Sequence, residues 1–308
     1  MLFFAMHTGA THIVGGEVNY RYIGNNKYEI TLKVYRDCYN GIAPFDNPAQ
    51  IGIFNDDFSL YAEIAAYISE QGPIPNAINS PCLTPPTNIC FEYAKYVFTT
   101  TIAPSSTGYT IGYQRCCRNS SVVNVDNVQS TGATFVAFIP DTGLAAVNSN
   151  PVFNELPPTF LCLNAPFTYD HSATDPDGDQ LVYSVTTPYS GGTRSNPAPF
   201  PTEFTPIVPI IWNSPYDENN PFGSSPLTID PVSGIMQVTP SSLGQFVYGI
   251  CVSEYRNGNL ISQTIRDFEV NVVPCPDLTV ASIPSPTIAC GTLQADFINN
   301  SYNAASYS

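Results

Sequence analysis

The chain has 308 residues, and its 10 basic and 25 acidic residues give a formal net charge of -15. This acidic balance argues against a nucleic-acid partner, because such partners require clustered Lys and Arg. Hydrophobic residues make up 43% and aromatic residues 12% of the chain. That share excludes a disordered acidic segment, since disordered segments lack apolar residues to bury.

The first ten residues read like the end of a secretory signal peptide. Met1–Ala5 is a short apolar run, and no basic residue precedes it. The nine cysteines favour the same compartment, because disulfides persist in oxidising environments. We therefore predict a secreted or cell-surface protein and assign residues 1–10 to a signal-peptide remnant. No later stretch reaches the roughly 20 apolar residues that a transmembrane helix needs.

Residues 11–144 predict a first β domain. Glu17–Ile23 and Tyr28–Tyr35 alternate apolar and polar residues around Gly24-Asn25-Asn26, which is typical of a β-hairpin. A proline-rich loop is expected around 71–88, because proline cannot donate the ladder hydrogen bond. The remaining runs that predict strands in this domain are Gln50–Phe54, Ser59–Ser69, Ile89–Thr99, Tyr109–Arg115 and Thr134–Ile139.

Residues 145–151 resemble a linker, and residues 150–274 predict a second β domain with the strand spacing of a β-sandwich. No capped helical pattern appears, so we expect an all-β fold of two β-sandwich domains in tandem. Residues 275–308 predict the start of a third unit, whose last strand looks interrupted, as in the front part of a longer polypeptide. The predicted strands of the second domain are Gln180–Val185, Ile207–Trp212, Leu227–Ile229, Ile235–Val238, Gly244–Ser253 and Ile261–Val273.

Cysteine is the most informative residue type for the fold. The odd total means that at least one thiol is free or pairs outside this sequence. No short paired spacing with histidines supports zinc, so we expect disulfides. The candidates are Cys38, Cys82, Cys90, Cys116, Cys117, Cys162, Cys251, Cys275 and Cys290.

Three pairings are expected from position along the chain. Cys82–Cys90 would close a short loop, and Cys38 would then meet Cys116 or Cys117. Cys162 and Cys251 lie on early and late strands of the second domain, where a bridge could join its two sheets.

The most specific local motif is Asp175-Pro176-Asp177-Gly178-Asp179. Carboxylates at alternate positions of a turn suit calcium, which prefers oxygen ligands, although the run fails as an EF-hand. Asp175, Asp177 and Asp179 are therefore the candidate metal ligands. Glu155, Asp170 and Glu254 are conjectured to assist from neighbouring loops. The alternative is a solvated turn that caps the entry to the strand at 181–185.

Catalytic motifs are scarce. The chain has no Gly-x-Ser-x-Gly, no His-Glu-x-x-His and no glycine-rich phosphate loop. His171 stands beside Asp170, and we interpret it as an exposed loop histidine rather than a member of a Ser–His–Asp triad. The sequence thus predicts a protein that is not an enzyme.

The acidic motif and the later run Ile229-Asp230-Pro231-Val232-Ser233-Gly234-Ile235 resemble a cadherin-like, immunoglobulin-type sandwich over about 150–274. Asn150-Pro151-Val152-Phe153 is similar to the start of a cadherin repeat, without the acidic residues of the usual inter-domain calcium linker. Calcium as a cofactor is therefore expected from the acidic turn itself and not from an inter-domain linker.

A second resemblance concerns the N-terminal domain. The runs 11–17, 35–38 and 115–119 look like the opening domain of large secreted surface proteins of gliding bacteria. Such proteins carry polycystic-kidney-disease (PKD) repeats, and 290–308 resembles the start of one. The resemblance implies export by type IX secretion.

Together these observations predict a non-enzymatic adhesin or structural module of a large secreted cell-surface protein. Its partners would be glycans, surface polymers or other cell-surface proteins. The alternative is a carbohydrate-binding accessory region of a secreted hydrolase.

Overall fold

The computed structural model describes residues 12–41, 43–76, 86–199, 207–223 and 226–275. Within these ranges nearly all regular structure is strand, which confirms the predicted all-β class. The single helical element there is a 3-10 turn at Val128–Ser130. The predicted signal remnant and nearly all of the predicted third unit lie outside the described residues.

Eight strands come from the first predicted domain: β1 (Ile13–Gly24), β2 (Lys27–Asp37), β3 (Ala49–Asn55), β4 (Leu60–Ala66), β5 (Ile68–Pro73), β6 (Phe91–Thr101), β7 (Tyr109–Arg115) and β8 (Ala133–Ile139). Eleven follow: β9 (Val152–Phe153), β10 (Phe160–Cys162), β11 (Phe167–Asp170), β12 (Ala173–Thr174), β13 (Gln180–Thr186), β14 (Tyr189–Ser190), β15 (Val208–Pro209), β16 (Thr228–Ile229), β17 (Ile235–Val238), β18 (Gly244–Arg256) and β19 (Asn259–Val273).

The predicted first hairpin is confirmed by β1 and β2, which pair antiparallel along their length. Asn25 and Asn26 form its turn with φ angles of 54° and 57°. Two consecutive positive φ values are the requirement of a type I′ turn, whose twist matches that of the flanking strands. Ile30 and Leu32 are fully buried, so the alternating pattern places one face of β2 in the core.

Strands of the first predicted domain enclose a core. Hydrogen bonding runs in the order β4-β3-β7-β8-β19-β1-β2-β6-β5. The two ends of this path, β4 and β5, are separated in sequence by Tyr67 alone, so the sheet folds back on itself. Apolar side chains from both arms meet inside, for example Val18 and Leu32 from one arm and Ile53 and Ile111 from the other.

A second core contains apolar side chains of β18 and β19 together with side chains of β13 and of the small sheet β11-β17-β16. Aromatic rings dominate it: Phe222, Phe246 and Tyr248 pack edge to face, and Phe268 contacts Tyr248 in the same way. Edge-to-face packing places the positive ring edge on the negative ring face and stabilises such clusters.

Strand β19 joins the two predicted domains. It pairs with β18 along its length, with β1 at Gly15↔Phe268 and with β8 at Thr264↔Ala137. A Cβ atom on Gly15 would lie 2.0 Å from the Asp267 carbonyl oxygen, so only glycine allows this approach. The expected boundary at 145–151 therefore does not divide the strands into separate sheets, and residues 11–144 share a sheet with residues 150–274.

Three disulfides join cysteines of the described residues, and none of them has an expected pairing. Cys90 bonds to Cys38 rather than Cys82, with 5.1 Å between Cα atoms. Cys38 therefore does not meet the adjacent pair, and Cys116 bonds to Cys117 instead. Cys82 lies outside the described residues.

The third disulfide also corrects an expectation. Cys162 bonds to Cys275, with 5.4 Å between Cα atoms, and Cys251 is a buried free thiol. The reason is strand order, because Cys162 ends β10, which runs parallel to the end of β19 in the register Cys162↔Val273. Cys251 lies opposite Ile265 in the middle of the β18–β19 pair. Cys290 lies outside the described residues.

Candidate cation site and buried charge network

The acidic loop, Asp175–Asp179, connects β12 to β13. Asp175 Oδ1 accepts hydrogen bonds from the backbone N–H groups of Asp177 and Asp179, each at 2.9 Å. This side-chain-to-backbone pattern is that of an Asx turn, which fits the structural role expected of a capping turn. The same bonds fix the direction of the other Asp175 oxygen.

Glu254, on β18, completes a group of three carboxylates with Asp175 and Asp179. One oxygen of each lies within 4.8 Å of the others. Glu254 is fully buried, and its Oε2 accepts a hydrogen bond from the Asn148 amide at 3.0 Å. Glu254 Oε1 and Asp175 Oδ2 are buried without a hydrogen-bond partner among the described residues. Of the three conjectured helpers, only Glu254 belongs to this group, which we term the cation site.

Burial and mutual repulsion disturb the acidity of these groups. Burial raises the pKa of the Glu254 carboxyl to about 9, and the nearby Asp179 and Asp175 add to the rise against the Asn148 amide. Burial also raises the pKa of Asp175. Hydrogen bonds from Arg256 hold the pKa of Asp179 below its usual value. The charged forms of these carboxyl groups are therefore poorly solvated, a condition that a bound cation would relieve.

Asp177, the third predicted ligand, contacts the segment before β9. Its Oδ2 accepts a hydrogen bond from the Ser149 backbone N–H at 2.7 Å, outside the three-carboxylate group. Arg256 binds both oxygens of Asp179, at 2.8 and 2.5 Å, and also donates to the Val147 carbonyl at 2.8 Å. The acidic loop is therefore clamped to residues 147–149, the segment interpreted from sequence as a linker.

A second cluster of charges lies inside the protein. Arg118 donates to both oxygens of Asp267, at 2.9 and 2.5 Å. Arg266 donates to Glu17 at 2.6 Å, and Lys33 contacts the other Glu17 oxygen at 3.0 Å. Arg118, Arg266, Glu17 and Asp267 are at most 1% exposed. These pairs connect β1, β2 and β19 with the segment after the Cys116–Cys117 disulfide.

The chain matches no protein family model, no curated protein and no solved structure. The resemblances to cadherin-like domains and to surface proteins of gliding bacteria therefore stay predictions. The described part of the chain contains no helical segment with the length and hydrophobicity of a membrane span.

The three N-terminal motifs that carried the second resemblance converge on the buried network. The Asp37 carboxylate accepts a hydrogen bond from the Asn119 amide at 2.9 Å. Ile13 donates its N–H to the Cys117 carbonyl, and Asp37 donates its N–H to the His12 carbonyl. The motifs thus have a structural role at the junction of β1, β2 and β19.

Sequence reasoning missed the partners of this network on β19. The available signal was the run Arg266-Asp267-Phe268-Glu269, which interrupts an apolar strand with charges. In a chain with so few charged residues, charges inside an apolar strand indicate buried pairs. The interpretation of His171 as exposed was also wrong, because its ring is fully buried between Phe153, Tyr169 and Tyr248.

Proposed function

We propose that this protein is a non-enzymatic extracellular module of a larger cell-surface protein, an adhesin or structural element whose fold is stabilised by calcium. The observation that carries the proposal is the cation site, where the carboxylates of Asp175, Asp179 and Glu254 each offer an oxygen within 4.8 Å of the others. Asp175 and Glu254 each also have a buried oxygen without a hydrogen-bond partner among the described residues. A buried carboxylate in that situation requires a proton or a cation.

The extracellular part of the proposal is supported by the three disulfides, because structural disulfides are typical of exported proteins. Cys38–Cys90 joins the ends of the paired strands β2 and β6, and Cys162–Cys275 joins β10 to the segment that follows β19. Disulfides of this kind suit a module that must stay folded outside the cell without chaperones.

The choice of calcium rests on the ligand set. The three side chains of the cation site offer carboxylate oxygens, and hard oxygen donors favour calcium or magnesium over zinc or copper. Calcium accepts six to eight ligands in irregular geometry, so carboxylates from a turn and a strand can be completed by water. The Asx turn and the Arg256 clamp hold the loop ready, so that binding would require little further ordering of the chain.

A role for these carboxylates in binding rather than catalysis follows from burial. Glu254 is 0% exposed, which suits a small bound ion better than direct contact with a bulky substrate. Bound calcium would instead fix the acidic loop against β1 and β18. Because Asp177 and Arg256 contact residues 147–149, calcium would also fix that segment. The consequence of binding is a stiffer module for display at a surface.

The test is thermal unfolding with excess chelator, with calcium and with magnesium. Calcium at 100 times its dissociation constant should stabilise the wild-type protein by about 2.7 kcal/mol over chelator. Glu254→Gln, which keeps the shape of the side chain and removes its charge, should abolish the calcium-dependent difference.

Asp230→Asn is the matched control. Asp230 forms a similar turn, accepting from the N–H groups of Val232 and Ser233, but it has no partner carboxylate in the cation site. This variant should retain the full calcium response. A wild-type protein with the same unfolding temperature in chelator and in calcium would refute the proposal.

A further inference from the structure

A groove of about 390 Å³ opens beside the Cys116–Cys117 disulfide, at the end of β7 and the start of β8. Its size falls in the usual range of small-molecule sites, about 300–1,000 Å³. It is separate from the cation site. The hydroxyl and amide side chains that line it are Gln114, Ser130, Thr131, Ser190, Thr193 and Asn196.

The chemistry of this groove differs from that of the rest of the surface. Among the described residues that line it, none is charged, in a protein whose net charge is -15. A second groove of similar size, about 430 Å³, contains Glu155 and Asp170 and would attract cations. The first, which we term the neutral groove, offers donors and acceptors and has no charged side chain among its described lining residues. Pro199 and Val208 add an apolar wall.

At the neutral groove, the backbone at Gly132 lies in close contact with the backbone at Gly191. A Cβ atom on Gly132 would lie 1.7 Å from the Gly191 carbonyl oxygen, so the two segments can approach only because glycine stands there. The Cys116 N–H donates to the Pro197 carbonyl at 2.8 Å, and the Thr134 hydroxyl donates to the Ser190 carbonyl at 2.6 Å. The loop is therefore anchored to Cys116, which directly follows β7, and to Thr134 in β8.

Several lining groups are already oriented. The Ser190 hydroxyl donates to the Val208 carbonyl at 3.0 Å, and the Gln114 amide donates to the Thr134 hydroxyl at 3.3 Å. Thr193 accepts from the Asn196 N–H at 3.1 Å. The Ser130 hydroxyl makes no hydrogen bond to any described residue and is exposed at the groove. Oriented donors and acceptors lose little side-chain freedom when a ligand binds.

We propose that the neutral groove binds an uncharged saccharide unit of a glycan. A sugar ring presents hydroxyl groups that both donate and accept, which Ser, Thr, Asn and Gln side chains complement. Its C–H face would lie on Pro199 and Val208. Acidic glycans are disfavoured by the net negative charge, and no carboxylate among the described lining residues would pair with an amino sugar. This inference depends on the proposed function in one respect only, namely that the groove is displayed at a cell surface.

The test uses the full chain, tetramerised on streptavidin, on an array of neutral, sialylated, sulfated and amino-sugar glycans. Multivalent display raises the apparent affinity of weak sites without new contacts. We expect binding to neutral glycans only, confirmed for a free oligosaccharide by saturation-transfer NMR. Binding should persist in chelator below the unfolding temperature, because the groove shares no residue with the cation site.

Three variants locate the site. Ser130→Trp fills the groove from an exposed position and should abolish binding while the protein remains folded. Thr193→Val should weaken binding about fivefold, the effect of one lost hydrogen bond. Ser69→Trp places the same bulk at an exposed position on β5 and should bind like the wild type.

The outcomes separate the two proposals. A folded protein that binds no neutral glycan, or that binds equally well as Ser130→Trp, would overturn the saccharide site whatever its calcium response. Binding to acidic glycans alone would overturn it as well. A protein that binds neutral glycans without any calcium stabilisation would contradict the calcium proposal and leave the saccharide site supported.

Discussion

At the scale of single residues, the unusual feature is how charges are distributed. Only 11% of residues are charged, yet Arg118, Arg266, Glu17 and Asp267 are buried at the centre of the molecule. Burial raises the pKa of Asp267 despite the opposing charge of Arg118, so desolvation is a large part of the energy of this pair. Buried pairs contribute little net stability when intact, but leaving one partner alone is costly.

Arg118→Met tests this argument. The substitution leaves Asp267 buried without its cation, and we expect the free energy of unfolding to fall by about 3–5 kcal/mol. Urea unfolding followed by circular dichroism measures the change. Arg118→Met combined with Asp267→Leu should recover most of the loss, because both charges are then removed.

Arg21→Met is the control for that experiment. Arg21 pairs with Glu29 at 2.9 Å, but its side chain is 58% exposed. Exposed pairs contribute less than about 1 kcal/mol, so this variant should unfold close to the wild type. Equal losses in the two variants would mean that burial does not decide the energy of these pairs.

At the scale of elements, alternation of apolar and polar residues predicted the strands well. Tyr109–Arg115 and Ile235–Val238 were predicted with the ends that the structure shows. Ile207–Trp212 was wrong in extent, because its regular part is limited to Val208–Pro209, where proline limits pairing. A local pattern establishes whether a segment is extended but not which segment lies beside it.

The candidate cation site shows the same difference between what a local sequence pattern predicts and what depends on long-range pairing. Asp175 and Asp179 are close in sequence and could be predicted from a motif. Glu254 lies on β18, at least 75 positions further along the chain. The disulfides depended on the same long-range information. Cys162 and Cys275 meet because β10 runs parallel to β19, and no local pattern contains that pairing.

The sequence separation of each disulfide predicts its contribution to stability. Cys162 and Cys275 are 113 residues apart, so the bridge removes much of the freedom of the unfolded chain. By the loop-entropy relation this contributes about 4.7 kcal/mol. Replacing both cysteines by Ala should lower the free energy of unfolding by roughly that amount, measured in guanidinium chloride.

The matched comparison is the double Ala variant of Cys116 and Cys117. These residues are adjacent, so their bridge closes no loop of chain and contributes almost no loop entropy. We expect a clearly smaller loss than for Cys162 and Cys275. A larger loss from the adjacent pair would show that packing around it, rather than chain entropy, sets the energy of these disulfides.

At the scale of the whole molecule, β19 makes the two predicted domains depend on each other. It lies between β8 and β1 in the sheet and carries Arg266 and Asp267 to their partners Glu17 and Arg118. An N-terminal half without β19 would expose the edge of β1 and leave Glu17 without the guanidinium of Arg266. Such edges and unpaired charges favour aggregation or unfolding.

The expected consequence is a single cooperative unfolding transition for the full chain and no stable fold for residues 12–149 alone. Differential scanning calorimetry of the full chain and NMR of the fragment provide the measurement. Mixing residues 12–149 with residues 150–275 should restore native-like spectra, because the missing strand is supplied in trans. A well-dispersed spectrum from 12–149 by itself, with its own sharp transition, would contradict this and favour the independent domains predicted from the sequence. The shared sheet argues for the first outcome, since Asp267 and Phe268 lie within the pairing that holds β1 in place.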